Sequence, residues 1–282
     1  MDARERVDEE ALRRLVDWLL KAGVDGLFVM GTTGEFALLT DEERRRAVSV
    51  VVDQASGRVP VLAGAGAEST KKAILHAEAA AEAGADLLVV MPPYYLPATQ
   101  EEMVVHARAV VRAVDLPALV YNIPWCTSSS IEPATAARMF DLPRVIGMKD
   151  SSDDFWQFQR LLRIRNARKD VVLFQGSENH MAASLVMGAD GGVPGIGNVM
   201  PHLFVEMYQA AKAGNVQRVK QLDEKLQRLR ATYTLAPPRQ LIKYMMALQG
   251  FGSGRVAQPA APLPVAVKKR VEEIMRQEGF LS

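Results

Sequence analysis

The chain has 282 residues, 49% of them hydrophobic and 24% charged, and 34 Lys and Arg against 33 Asp and Glu leave a net charge of +1. That composition builds a packed core and excludes a disordered chain, and the balanced charge leaves no electrostatic footprint for nucleic acid or an anionic membrane surface. A single cysteine, Cys126, excludes an intrachain disulfide and a multi-cysteine metal site, no apolar run approaches the roughly 20 residues of a membrane span, and the charged stretch from Met1 to Glu10 is no secretory signal, so the cytoplasm is the expected compartment.

Asp8 precedes a helical pattern in which Leu12, Leu15, Val16, Leu19 and Leu20 share one face, and Gly23 ends it. Residues 26–30 form a short apolar run, suited to a strand buried on both faces. Thr40 and Glu43 make a capping box that opens the next helix. A strand over 61–63 follows, with Pro60 at its entry, where a missing N–H is tolerated. A helix over 70–83 leads to a strand over 87–91, and a second capping box, Thr99 with Glu102, opens a helix that leads to a strand over 118–121. Further strands are expected over 145–148, ending at Lys149, over 171–174, ending at Gln175-Gly176, and over 191–193, after Asp190. Beyond Gly214 the pattern is helical only, over 216–233, 239–248 and 264–278.

An internal echo supports one repeated unit. Ala22-Gly23-Val24-Asp25, Ala83-Gly84-Ala85-Asp86 and Gly188-Ala189-Asp190 each stand between a helix and the next strand. Strands alternating with amphipathic helices imply a parallel sheet with right-handed crossovers. The expected fold is an α/β, (β/α)8 TIM-type barrel over residues 1–214, carrying catalysis, with a C-terminal helical extension over 215–282. A doubly wound open sheet is the alternative, because strand order is not written in a single sequence.

In a parallel barrel, reactive groups gather where strands end. Those ends read Gly31-Thr32-Thr33-Gly34-Glu35, Pro92-Pro93-Tyr94-Tyr95, Tyr121-Asn122, Lys149-Asp150 and Gly176-Ser177-Glu178. Lys149 alone among the lysines terminates an apolar strand; the others fall in helices or polar segments, where a solvated surface role is expected. A lysine taken out of water presents more of the neutral amine that attacks a carbonyl. The competing reading is a structural pair between Lys149 and Asp150. Successive N–H groups in the Gly31–Gly34 turn can cradle a carboxylate, although an ordinary turn has the same letters. Tyr121 is placed to relay a proton, or to fill the core. Tyr94-Tyr95 follows two prolines and so belongs to a loop that suits a pocket wall or a subunit interface. Gly64-Ala65-Gly66 lacks the rest of a dinucleotide fingerprint, and His76, His106, His180 and His202 show no metal spacing. Glu35 reads as a helix cap.

Taken together, Gly31-Thr32-Thr33-Gly34-Glu35, Pro93-Tyr94-Tyr95, Tyr121-Asn122-Ile123-Pro124, Gly147-Met148-Lys149-Asp150 and Gly195-Ile196-Gly197-Asn198-Val199 resemble the dihydrodipicolinate synthase / N-acetylneuraminate lyase family, in the family's order and over nearly the whole chain. The resemblance implies class I aldolase chemistry with no cofactor or metal, usually on a homotetramer built as a dimer of dimers. It implies that Lys149 forms the Schiff base with pyruvate or another 2-oxo acid. Tyr121 matches the proton-relay tyrosine, and Thr32 and Thr33 match positions that hold the carboxylate and connect to that tyrosine. Tyr95 matches a tyrosine that reaches a neighbouring subunit's site, and Val193 lies where the family lines the pyruvate pocket.

Two departures stand out. The synthases carry an arginine two residues after the proline of the Tyr-Asn-x-Pro motif, where it binds the second substrate's carboxylate; here Cys126 stands there, preceded by Trp125. A thiol does not replace an arginine fork. Glu178 and Asn179 fall where the lyases bind a sugar acid's hydroxyls, so a 2-keto-3-deoxy sugar acid, cleaved or dehydrated, is the expected substrate. A catalytically silent homologue that binds a 2-oxo acid is the alternative, and the joint presence of Lys149, Tyr121 and Thr33 favours the enzyme. The second departure is at the start: family members open with a strand that precedes the segment matching Asp2–Asp8, and Met1–Val7 is too polar to be one, so an upstream start carrying that strand is expected.

Overall fold

The computed structural model describes residues 1, 2 and 6–281. Helices and strands alternate as α1 (Glu9–Ala22), β1 (Leu27–Val29), α2 (Asp41–Ala55), β2 (Val61–Gly64), α3 (Thr70–Glu82), β3 (Leu87–Val90), α4 (Gln100–Ala113) and β4 (Ala118–Asn122). Two short helices, α5 (Pro124–Thr127) and α6 (Pro133–Phe140), precede β5 (Val145–Asp150), α7 (Phe155–Ala167), β6 (Val172–Gln175), α8 (Met181–Val186) and β7 (Gly191–Gly192). Four helices close the chain: α9 (Pro201–Lys212), α10 (Val216–Arg230), α11 (Pro238–Leu248) and α12 (Val265–Gln277).

Local signals explain these bounds. The Asp8 carboxylate accepts the Ala11 N–H at the start of α1, and Gly23 closes that helix at φ 87°, in the left-handed region. Both expected capping boxes form, Thr40 with Glu43 and Thr99 with Glu102. β5, expected to end at Lys149, runs one residue further, through Asp150.

The seven strands are all parallel, and each pairs with its sequence neighbour in the order β1 to β7. A doubly wound sheet would reverse its order in the middle; this one curls steadily, as a TIM-type barrel does. Among the described residues the outer edges of β1 and β7 have no strand partner. Met1, Asp2, Arg6 and Val7 contribute no strand, and Ala3, Arg4 and Glu5 lie outside the described residues.

Two apolar clusters hold the chain. The first fills the space between the sheet and the helices around it, with Leu88, Met148, Phe158 and Leu161 at or near zero exposure. The second joins α8 and α9 to α10, α11 and α12 through Met181, Met207, Leu226, Leu241 and Met245. The C-terminal helices are thus seated on the last barrel helices rather than standing free, and this seat brings α11 to the strand ends. Among the described residues no helix is long and apolar enough to cross a membrane.

Candidate active site

Register places the chemistry. Across β4 and β5, Tyr121 pairs with Lys149 and Asn122 with Asp150. Side chains alternate along a strand, so Tyr121 and Lys149 share one face while Asn122 and Asp150 share the other. Asp150 accepts hydrogen bonds from Asn122 Nδ2 at 2.7 Å and Ser152 Oγ at 2.8 Å, and burial holds its carboxyl above the usual carboxylate range. That removes the structural Lys149–Asp150 pair.

Lys149 is 7% exposed, and its Nζ lies 4.4 Å from the Tyr121 ring centroid and 5.0 Å from that of Phe28. A buried amine walled by two aromatic rings has lost most of its water and keeps its position for an incoming carbonyl. The Tyr121 hydroxyl accepts a hydrogen bond from Ser151 Oγ at 3.4 Å. Ser151, which follows directly on β5, is thus the hydrogen-bond partner of Tyr121 in this structure. Phe28 and Ser151 are site residues that the sequence reading passed over. Ser151 stands two places after the lysine, which is the one local signal that marked it.

The turn after β1 is held from several sides. Met30 has φ 62°, and its carbonyl oxygen comes 2.2 Å from where a β-carbon on Gly64 would stand, so only glycine lets β2 end beneath it. Thr33 Oγ1 and Glu178 Oε1 lie 2.9 Å and 3.5 Å from the corresponding point on Gly195, so the β1 turn, the β6 loop and the β7 loop converge there. Thr32 Oγ1 is buried without a well-formed hydrogen bond. Its neighbour is Cys126: burial pushes that thiol up, against the opposing pull of the Thr32 hydroxyl and the Arg239 guanidinium.

Glu35 is no helix cap. It makes no capping bond, is 2% exposed, and forms ion pairs with Lys243 and, at 3.4 Å, with Arg239 Nε, while the Ala257 N–H donates to it at 3.1 Å. Lys243 is accordingly not a solvated surface lysine; it is 208 residues away in sequence, and nothing local marked it.

The other expected residues scatter around this centre. Glu178 accepts the Ile196 N–H at 3.1 Å, whereas Asn179 turns away to donate to both oxygens of Asp153 at 2.9 Å. The Val193 amide extends the β6–β7 ladder by donating to Gln175 at 2.9 Å, which sets its side chain beyond the strand end. Trp125 Nε1 donates to the Ser151 carbonyl at 3.2 Å with its ring largely exposed. Tyr95 projects from its loop at φ 81° and is 86% exposed, away from Lys149 in this chain. A cleft of about 270 Å³ lined by Arg165, Asp190, Tyr208 and Lys212 opens at the amino ends of β6 and β7 and takes no part in this constellation.

The model of the dihydrodipicolinate synthetase family matches residues 1–278. An uncharacterized DapA-like lyase of Halobacterium salinarum is 36% identical over 281 residues, covering 99% of this chain and 91% of that protein. The 4-hydroxy-tetrahydrodipicolinate synthase of Methanopyrus kandleri is 36% identical over 279 residues, with 98% and 91% covered. Among solved structures, YagE from Escherichia coli K12, a prophage protein of the dihydrodipicolinic acid synthase family in complex with pyruvate, superposes with a TM-score of 0.95 at 30% identity, covering 99% of this chain and 95% of that one. A monomeric dihydrodipicolinate synthase variant superposes at 0.93 with 31% identity, covering 97% and 92%. With the family model, these relatives and the fold in agreement, the chain belongs to the dihydrodipicolinate synthetase family and is a lyase of that family.

Proposed function

We propose that the protein forms a Schiff base between Lys149 and a 2-oxo acid, pyruvate or a 2-keto-3-deoxy sugar acid, and makes or breaks the bond next to the resulting imine. The observation that carries this is the buried Lys149 amine, enclosed by Tyr121 and Phe28. The amine attacks the C2 carbonyl, and loss of water leaves an iminium. The iminium draws electrons from the adjacent carbon, so removal of a C3 proton gives an enamine that adds to an aldehyde; run backwards, a C3–C4 bond breaks and pyruvate leaves after hydrolysis. Tyr121, which accepts a hydrogen bond from Ser151, moves the proton in this reading, and the hydroxyls and N–H groups of the Thr32–Thr33 turn hold the carboxylate.

Glu178 belongs to the far end of the bound acid, facing Thr33 across Gly195. The protein works in the cytoplasm as a homo-oligomer in which the exposed Tyr95 meets a second copy. Pyruvate with borohydride should add one reduced adduct to Lys149, read by intact mass and peptide mapping. No adduct, or an adduct on another lysine, would sink the reading, and Lys149→Ala should take no label.

A further inference from the structure

At the end of the barrel opposite Lys149, the last turns of α7, α8 and α9 come together over the starts of β6 and β7. They bring Arg165, Leu185 and Lys212 to the cleft of about 270 Å³ that opens there. Clefts that hold ligands run from roughly 300 to 1,000 Å³, so an occupant of this one is small. Leu185 and Ala189, 6% and 8% exposed, give the cleft an apolar lining, and Tyr208 and Ala211 add to it from α9.

The helix ends offer little to a cation, because their carbonyls are already used. The N–H groups of Gly188 and Ala189 donate to Leu185 and Ser184 at 3.1 Å and 2.9 Å, and those of Gly214 and Asn215 to Ala211 and Ala210 at 3.0 Å and 2.9 Å. Asp190, the acid of the cleft, is engaged as well. Its two oxygens hold the Arg165 guanidinium, and one of them accepts the Leu173 N–H at 2.8 Å. Arg165 and Asp190 cancel as charges, and Lys212 is left over. Among the described residues Lys212 makes no ion pair; its ammonium rests 5.6 Å from the centroid of the Tyr208 ring, one helical turn away. The Tyr208 hydroxyl has no hydrogen-bond partner among the described residues either. The partial charge at the end of α9, about half an elementary charge, does not take up the hydrogens of the ammonium. The cleft thus presents one unmatched positive charge and unused donors beside an apolar lining.

We propose that this cleft is a second binding site, for a small organic monoanion: an apolar body that carries one carboxylate. The Lys212 ammonium and the Tyr208 hydroxyl hold the carboxylate, and the body lies against Leu185, Ala189 and the Tyr208 ring. One unmatched cation suits one negative charge. An ion pair to an exposed lysine is weak by itself, so the apolar lining supplies the rest of the affinity. Lys149 stands at the carboxyl end of β5 and the cleft at the amino ends of β6 and β7, so the occupant touches none of the reacting atoms. The site does not depend on the Schiff-base reading.

The test titrates the full chain with benzoate, and with benzyl alcohol as its uncharged counterpart, by ligand-observed NMR. The native protein should bind benzoate ~5–10-fold more tightly than benzyl alcohol, the scale of a partly screened charge-assisted hydrogen bond. Lys212→Gln should remove that preference and leave benzyl alcohol unchanged, and Lys212→Arg should keep most of it. Ala211→Trp should fill the cleft and abolish binding of both probes. Lys149→Ala should bind benzoate as the native protein does. No benzoate binding by the native protein, or binding unchanged in Lys212→Gln, would overturn the proposal. So would loss of binding in Lys149→Ala, which would place the benzoate at the other end of the barrel. Phenyl phosphate serves as a third probe, and tighter binding of it than of benzoate would overturn the carboxylate assignment. Lys212 is exposed, so its replacement keeps the fold, and a melting curve checks each variant. The Lys212→Gln arm decides the question alone if Ala211→Trp does not fold.

Discussion

At Gly176 a β-carbon would stand 1.9 Å from Ser151 Oγ and 2.7 Å from Lys149 Cε. Neither neighbour is a loose chain end: Ser151 bonds Tyr121, and Lys149 is packed between two rings. Gly176→Ala should therefore displace the amine and its neighbour together. The expected outcome is a pyruvate adduct formed at least ~10-fold more slowly, with stability lower by about 1–3 kcal/mol, the usual range for an overpacked site. Unchanged labelling kinetics would show that the site has room the structure does not contain. Ser151→Ala tests the hydrogen bond on its own. If Tyr121 moves the proton, exchange of pyruvate's methyl protons with deuterium, followed by NMR, should slow more than adduct formation does. Equal slowing of both would assign Ser151 to packing alone.

Between elements, two contacts carry predictions. The Glu35–Lys243 pair fastens the turn after β1 to α11, and breaking a buried pair leaves the carboxylate uncompensated. Arg239 softens that loss, so Lys243→Met should cost about 3 kcal/mol by denaturant unfolding and weaken pyruvate capture as the turn loosens. A stability change within experimental error would mean that the pair contributes nothing net. The second contact joins α3 to α4, where Thr70 Oγ1 meets His106 Nδ1 at 2.9 Å. Burial lowers the His106 pKa from 6.5 to about 4, outweighing an opposing Met91 carbonyl. The folded chain then keeps His106 neutral while the unfolded chain takes up a proton. Stability from this group is complete above pH 6.5 and is lost as pH falls towards 4, by about 3 kcal/mol in all. His106→Gln should flatten that part of the stability profile, measured by denaturant titration at stepped pH, and a profile of unchanged slope would refute the assignment.

For the molecule as a whole, two of the most exposed large apolar side chains stand next to each other on one loop. Tyr95 and Leu96 are 86% and 72% exposed, and Tyr95 holds a left-handed backbone that a tyrosine rarely adopts. Such a knob is stable when a second surface covers it. Sedimentation should show an oligomer at micromolar concentration, and Tyr95→Asp with Leu96→Asp should shift it to smaller species with lower lyase activity. A native monomer would dismiss the interface. The seat of α11 matters at this scale too, because it is the contact of α11 with the α8 and α9 cores that carries Arg239 and Lys243 to the strand ends.

Helix starts, strand runs and the strand-end place of Lys149 were all legible in contiguous residues. Asp8, Thr40 and Thr99 cap helices through bonds to residues three places on, and Lys149 stood out because an apolar strand leads straight to it. Interactions that close within a few residues leave their pattern in a short window of sequence. Strand order was not legible, and neither were the partners of the site residues. Ser151 reaches Tyr121 because β4 and β5 lie side by side in one register. Glu35 looked like a cap until α11 delivered Lys243 from 208 residues away. Such pairs depend on how the sheet curls and on where the C-terminal helices dock, and both are decided by burial summed over the whole chain rather than by any neighbouring letters.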